Sequence, residues 1–477
     1  MKFCSFIPLI LLVNPTLFGC DSTPASIGAG GANSSATGGA PAGGTSSSVG
    51  GTTAANIDAG PPVAGAITVS GKSPKATSAL FEGVNYWSWV VQYGNQVAGT
   101  ETLIGALKPK WMRVGGTNAD NSTPEAYSNS VIETAVAYAR AIGAEPLVQV
   151  PVLKDANGSV PTAQTATAIV TYLNVTKSLG VKYFSIGNEP DIYVDNGHLT
   201  SYSADLNCQT FAAFADAMKQ VDPSIKIVGP DFSWKYQIGN AANDWMSPFL
   251  TNCKNKVDIV AVHRYPINPA SATAAAAQAD APLFRNMIRM LRAALDAQGM
   301  TTTPIAITEY NITWDGDPAK STLPASPGTL PAALWTADVH GVALEEQLFS
   351  LDYWSISEGW TLGILNGKAP RPAYYALRLF AEHFGPTVIA TSGAPSGVSV
   401  YASRNAADSA TDVMVVNWNV TNYDFTATFE DMKAPVPSAH LSVPALSLAA
   451  FEVTDIGQVQ GWALTQTNAT QGPSALP

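Results

Sequence analysis

The stretch Lys182-Tyr183-Phe184-Ser185-Ile186-Gly187-Asn188-Glu189-Pro190-Asp191 starts as a short β-rich run and ends in a glutamate followed by proline. A second stretch, Ile305-Ala306-Ile307-Thr308-Glu309-Tyr310-Asn311, has the same form: an apolar run closed by a glutamate. Working outward, similar runs occur at Leu80–Asn85, Lys110–Gly115, Glu145–Pro151, Ile225–Pro230, Val257–His263 and Leu351–Ser355. With Lys182–Asn188 and Ile305–Tyr310 they make eight strands. Their starts lie about 30 to 48 residues apart, the spacing of βα units with some loop insertions.

Helical patterns fill the intervals. Asn129–Ile142 carries alanines and valines at helical spacing, with Asn129 expected as its N-cap. Thr162–Leu179 follows Pro161, and Cys208–Val221 ends at Asp222-Pro223. Pro282–Gln298 opens on a proline, as a first helical position allows, and puts Phe284, Met287, Ile288, Leu291 and Leu295 on one stripe. Eight strands alternating with helices predict a (β/α)8 TIM barrel, an α/β fold. A doubly wound open sheet is the alternative, but no Gly-rich phosphate loop supports it.

After Pro370 the pattern changes. A last helix is expected at Tyr374–His383. Short runs then follow at Thr387–Ala390, Val398–Ser403, Asp412–Asn419, Asp424–Phe429, His440–Val443 and Ala449–Val453, which read as a small β-sandwich. Ala66–Val69 is expected to add one strand to it, and residues from about 458 show weak pattern.

The N-terminus reads as an export signal. Lys2 is followed by the apolar run Phe6–Val13, too short to span a bilayer. Leu17-Phe18-Gly19-Cys20 resembles a bacterial lipobox, which implies lipidation of Cys20. Residues 22–64 are mostly Gly, Ala, Ser and Thr and read as a disordered tether. The expected organisation is a signal over 1–20, a linker over 21–65, a barrel over 66–385 and a β-sandwich over 386–477. The product would be an exported bacterial lipoprotein, membrane-anchored through Cys20 on a periplasmic or cell-surface face, and a monomer. Cys4 would leave with the signal. Cys208 and Cys253 would remain in an oxidising compartment, which favours a disulfide. Their expected places, one near the barrel top and the other at the bottom end of the next helix, argue against it.

The chain has 477 residues, with 25 basic against 36 acidic side chains, a net charge of −11. That argues against a nucleic-acid binder, which needs a basic face, and weakly disfavours a polyanionic substrate. The five histidines are scattered and no Cys/His spacing suggests a zinc site, so neither a metal nor a cofactor is expected.

In a TIM barrel the chemistry sits at the C-terminal ends of the strands. Glu189 and Glu309 both close strands, so both face one rim. Two carboxylates there suit glycosidic bond cleavage, one protonated to donate to the leaving oxygen and one ionised to attack the anomeric carbon. Either glutamate alone would be read as a solvated loop residue. Their joint placement, with Arg113, His263 and Tyr265 at other strand ends, is what points to a site.

On Asn188-Glu189-Pro190 and Glu309 the chain resembles the retaining glycoside hydrolases of clan GH-A, from about Leu80 to the C-terminus. The resemblance implies Glu189 as general acid/base and Glu309 as nucleophile. It implies that Asn188 bonds the sugar 2-hydroxyl, that Arg113 keeps the nucleophile ionised, and that Tyr265 leans on the nucleophile. It also implies that Trp354 lies under the sugar, followed by a non-proline cis peptide. The segments Arg113–Thr117 and His263-Arg264-Tyr265 most resemble the heparanase and β-glucuronidase family. The β-xylosidase, α-L-arabinofuranosidase and endoglucanase families compete, and no basic cluster for a uronate or sulfate is present. Rim aromatics Trp87, Trp89, Trp234, Trp314, Trp354 and Trp360 suit sugar faces, Trp354 and Trp87 foremost. Asn85 and Asn118 are candidate hydroxyl partners. The expected function is retaining hydrolysis of a neutral oligo- or polysaccharide. A non-catalytic carbohydrate-binding or adhesin-type lipoprotein is the alternative, which the presence of two carboxylates disfavours.

Overall fold

The computed structural model describes residues 63–87, 97–121, 127–153, 160–315, 317, 325–357 and 361–477. Cys4, Cys20, Trp89, Trp360 and nearly all of the expected linker lie outside them.

In chain order, strand β1 is Val63–Ala76. The strands β2 (Glu82–Trp87), β3 (Trp111–Gly115), β4 (Glu145–Val150), β5 (Tyr183–Ile186), β6 (Lys226–Phe232), β7 (Ile259–Arg264), β8 (Ile305–Tyr310) and β9 (Ser350–Tyr353) follow. These eight pair in parallel and close into a barrel in that order, β9 returning to β2. The helices are α1 (Glu101–Gly105), α2 (Thr117–Asn121), α3 (Asn129–Ala141), α4 (Ala163–Val170), α5 (Ala204–Val221), α6 (Met246–Cys253), α7 (Ala274–Ala297), α8 (Leu330–Glu345) and α9 (Pro372–His383).

The TIM barrel read from the strand count is present, and the differences lie at element ends. Ser128, not Asn129, caps α3, its Oγ accepting from the Val131 N–H. Helix α4 runs on as a π-helical turn over Thr171–Thr176. Helix α5 begins at Ala204 behind the Ser203 cap, four residues before Cys208. Helix α7 begins at Ala274, capped by Thr273, so Pro282 lies inside the helix rather than at its start. The four alanines of 274–277 are strong helix formers and carry the helix upstream of the proline.

Cys208 and Cys253 form a disulfide, with 5.8 Å between their Cα atoms. The expectation against it fails because α6 has only eight residues. At 1.5 Å per residue it drops about 12 Å, far less than a full barrel helix. Its last residue therefore comes level with the second turn of α5.

Short strands β10 (Leu365–Asn366) and β11 (Ala369–Pro370) form a hairpin after the barrel. Then come β12 (Thr387–Ser392), β13 (Val398–Arg404), β14 (Ala410–Asn417), β15 (Tyr423–Glu430), β16 (Ala439–Val443), β17 (Ser447–Thr454), β18 (Val459–Leu464) and β19 (Ser474–Ala475). The last two occupy the region whose sequence pattern is weak. These strands make one sheet in the order β16-β15-β1-β12-β13-β14-β17-β18-β19. It curls around an apolar core that includes Ile67, Val69, Val400, Val415, Phe425 and Phe451. Strand β1 starts at Val63, so residues 63–65 are strand rather than linker, and it pairs with β12 and β15 on its two sides.

Barrel and sheet share helix α8, whose sequence Leu330–Glu345 has no polar face. Such a helix is stable only when covered all round, and here one side meets the barrel and the other the sheet. Asp338 in its middle is satisfied by the sheet: the Trp418 indole donates to its carboxylate (2.6 Å) and the Tyr401 hydroxyl to its carbonyl (3.0 Å). Burial raises its pKa to about 6.

Inside the barrel the inward side chains change character with height. Trp111, Leu147, Val228, Ile259, Ala261 and Ala306 form an apolar plug. Two residues further along the strands, Asn85, Arg113, Gln149, His263 and Thr308 form a buried polar layer. That layer is the floor on which the rim residues stand.

Candidate active site

Arg113 is fully buried in the middle of β3 and organises the floor. Its Nη1 donates to Glu309 Oε1 at 2.6 Å and to Asn85 Oδ1 at 3.3 Å. Its Nη2 donates to Asn188 Oδ1 at 2.7 Å and to Gln149 Oε1 at 3.1 Å. Burial works to lower its pKa, but Glu309 and Asp231 outweigh burial and raise it, so the guanidinium stays charged.

Strict alternation along β8 would send Glu309 outward, because Ala306 and Thr308 face in. The pairing of β8 slips on both sides near this point. Such a bulge turns the strand locally and re-aims the next side chain, and Glu309 enters the mouth. There the Tyr265 hydroxyl donates to its Oε2 at 2.7 Å. Burial raises the Glu309 pKa, opposed by His263, by Arg113 and by the Tyr265 bond.

Glu189 sits where β5 has turned through Gly187, in a left-handed conformation (φ +51°) that its N–H supports by donating to the Asp231 carbonyl. His263 Nδ1 lies 3.0 Å from its Oε1. Its side chain is 14% exposed. Burial raises its pKa to about 7, against a Ser233 hydrogen bond and the charge of Arg113, which lower it. Burial also lowers the pKa of His263, against the charge of Glu309, which raises it. One oxygen of Glu189, one of Glu309 and Nδ1 of His263 all lie within 4.8 Å of one another. Among the described residues this is the one cluster whose spacing could hold a metal ion. Its members already bond each other, Arg113 and Tyr265.

Two tryptophans stand at the same rim, Trp87 closing β2 and Trp354 directly after β9. The rings of Trp87 and Trp354 lie 6.4 Å apart. The Trp354–Ser355 peptide is cis. The Trp354 carbonyl accepts from Asn311 Nδ2 at 2.6 Å. The Trp87 indole donates to Asn118 Oδ1 at 3.2 Å. Gly116 (φ +107°) lies under them, and a Cβ there would come within 2.6 Å of the Trp354 ring.

The structure thus brings together Glu189, Glu309, Arg113, Asn188, His263, Tyr265, Trp354 and Trp87. It does not bring Asn85 to a substrate. Asn85 is fully buried, with its Nδ2 donating to the Thr308 and Asp352 carbonyls and its Oδ1 accepting from Arg113. It positions the arginine. Asn188 is also largely covered, its Nδ2 donating to Thr117 Oγ1. Trp234 and Trp314 are 42% and 53% exposed, outside the packed mouth.

Three residues of the site were missed by the sequence reading. Gln149 ties Arg113 to the Gly116 N–H. Asp231 accepts from Thr308 Oγ1 at 2.6 Å and lies 3.6 Å from Arg113. Asp352, bonded by Ser350, has its pKa pushed well up by burial. The available signal was a polar side chain inside or just past an apolar buried strand, where it must be satisfied.

Residues 128–325, which hold both glutamates, His263 and Tyr265, match the family model described as the glycosyl hydrolase catalytic core. A comparison with curated proteins finds no match. Among solved structures, a bifunctional glucanase-xylanase from a metagenome library is 17% identical, covering 82% of this chain and 99% of its own, with TM-score 0.64. A family 44 xyloglucanase of Paenibacillus polymyxa is 14% identical over 82% and 99%, with TM-score 0.63. The α-L-arabinofuranosidase of Thermotoga maritima is 15% identical over 84% and 100%, with TM-score 0.64. At such identities the likeness is one of fold. These structures come from the endoglucanase and arabinofuranosidase side of the expected competitors, and the heparanase family is not supported as the nearest. With the matched catalytic core and two glutamates facing each other across the barrel mouth, the chain is a glycosidase.

Proposed function

We propose that this glycosidase is a retaining β-glycoside hydrolase acting on a neutral oligo- or polysaccharide by double displacement. The observation that carries this is the approach of Glu189 and Glu309 oxygens to within 4.8 Å. Retaining enzymes hold their carboxyl groups about 5–5.5 Å apart, whereas inverting ones need about 6.5–9.5 Å to seat a water.

The two environments support the division of roles. Glu189, with its pKa raised to about 7, keeps a proton for the glycosidic oxygen at neutral pH. Glu309 takes a donor on each oxygen, Arg113 on Oε1 and Tyr265 on Oε2, which favours the carboxylate that attacks the anomeric carbon. The leaving group departs with the Glu189 proton as the glycosyl–Glu309 bond forms. Glu189, now ionised, then takes a proton from the water that breaks that ester and restores Glu309. Trp354 and Trp87 offer apolar surface to the sugar's C–H face.

The structural neighbours are a glucanase-xylanase, a xyloglucanase and an α-L-arabinofuranosidase, so glucan, xylan, xyloglucan and arabinofuranosides are the first substrates to test. A screen of aryl glycosides and plant polysaccharides, with Glu309→Ala as control, tests the assignment, since hydrolysis surviving that change refutes the nucleophile. Proton NMR of the first-formed product decides the stereochemistry, and an inverted anomer refutes retention.

We also infer export and anchoring through Cys20, based on the Leu17–Cys20 signature and the Gly/Ser-rich stretch that follows it. Partition of the full chain into the membrane fraction, lost in Cys20→Ser, is the expected result.

A further inference from the structure

Next to the catalytic pair lies a groove of about 570 Å³, bounded by the loop after β6, the loop after β7 and helix α7. Its volume falls in the usual range for sites that hold small organic ligands. Trp234, Leu283 and Met290 line it with apolar surface, and Gln237 and Asn286 add amides. Trp234 is 42% and Leu283 59% exposed, unusual for side chains of that size.

Two other lining residues reach the catalytic glutamates. Ser233 hydrogen-bonds Glu189, and the Tyr265 hydroxyl donates to Glu309. The groove is therefore continuous with the catalytic centre. Its wall is also held in place: the backbone N–H groups of Ser233, Trp234 and Lys235 donate to the Asp191 carboxylate at 2.8, 3.0 and 2.9 Å. Asp191 lies two residues after Glu189, so acid and wall are positioned together.

The ring order gives the groove its sense. Trp87 and Trp354 stand at β2 and β9, whereas the groove lies outside β6 and β7, and in a closed ring of eight β6 is opposite β2. The glutamates stand between two apolar surfaces, with Glu189 and its loop on the groove side. A sugar over Trp354 would present its departing neighbour to the groove. The positive charges nearby are paired: Arg264 with Asp280, and Lys235 with Asp195 at 2.6 Å.

We propose that this groove binds the leaving-group side of a neutral glycan chain, so that the enzyme cuts within chains rather than only at their ends. The proposal rests on the reading of Glu189 as the acid. Trp234 covers the C–H face of a sugar, Leu283 and Met290 extend that surface, and the amides meet hydroxyls.

The test uses the full chain with xylan, xyloglucan and mixed-linkage β-glucan as polymers and 4-nitrophenyl β-xyloside and β-glucoside as small substrates. In Trp234→Ala the ratio of polymer to aryl-glycoside kcat/KM falls about tenfold to hundredfold, the usual effect of removing a large aromatic contact. The parent lowers polymer viscosity ahead of reducing-end release. A ratio changed by less than about twofold overturns the proposal. Leu283→Gln, also at an exposed position, replaces Trp234→Ala if melting shows that variant unfolded. If the parent hydrolyses no substrate in the panel, the glycosidase reading falls first and takes the groove with it. If the parent is active and Glu309→Ala is inert while the ratio holds, only the groove assignment fails.

Discussion

Replacing Glu189 with glutamine is expected to stabilise the protein in alkali while disabling it. Glu189 is held at a pKa of about 7 against an ordinary 4.5, with burial the main cause. Below about pH 4.5 the carboxyl is protonated in both folded and unfolded chains, and glutamine, neutral and of the same shape, changes little. As pH rises toward 7 the unfolded chain ionises freely and the folded one resists, so the parent progressively loses stability that the variant keeps. A shift of this size corresponds to about 3 kcal/mol at 1.36 kcal/mol per pH unit, fully developed above pH 7. With roughly 2 cal/mol/K of unfolding entropy per residue over residues 63–477, that is about 3–4 °C in Tm. The assay is calorimetric melting of parent and Glu189→Gln at pH 4.5, 6, 7 and 8. The expected Tm difference is near zero at the lowest pH, grows with pH and levels off. Glutamine has no proton to donate, so kcat falls about 10²–10⁴-fold in the same variant. A Tm difference that does not vary with pH, or a parent more stable than the variant at pH 8, refutes the claim that burial holds the proton on Glu189.

Two further changes probe the same mouth. Tyr265→Phe removes a charge-assisted bond of 2.7 Å to Glu309, worth about 1.5–3 kcal/mol. Its kcat falls about 10- to 100-fold, and the acid limb of its pH–rate profile moves up, because the nucleophile loses a donor that favours its ionised form. An unmoved acid limb would contradict that role. Gly116→Ala places a methyl about 2.6 Å from the Trp354 ring at a left-handed backbone position. It is expected to displace the ring and lower kcat/KM at least about tenfold, with a stability cost of about 1–3 kcal/mol; unchanged kinetics would show that Trp354 does not seat the sugar.

Much of the barrel was legible because each of its strands is a short β-rich run at regular spacing, and strand order alone put Glu189 and Glu309 on one rim. The inward aim of Glu309 was not legible: it depends on a bulge in β8 that no local signal in Ile305–Tyr310 announces. Asn85 was misjudged because an asparagine at a strand end looks the same whether it meets a hydroxyl or an arginine. Only the packing of β3 beside it decides. Asp231 escaped because the strand was expected to stop at Pro230, one residue short. The Cys208–Cys253 bridge turned on the length of α6, which the chain does not mark with a clear start signal.

Strand β1 adds a constraint of another kind. Val63 pairs with Tyr423, 360 positions later, so one of the first strands to be synthesised waits for one of the last. The barrel strands between them are complete by Tyr353, and β1 at that stage has neither neighbour, since β12 and β15 are still to come. During that interval it is a free edge, the kind of segment that pairs with the wrong chain. Lys72 and Lys75, exposed in its second half, are the residues that make such mispairing unfavourable. A chain cut short before β12 would never relieve that state, and one cut between β12 and β15 would relieve only one of its two sides, however well its catalytic barrel had formed.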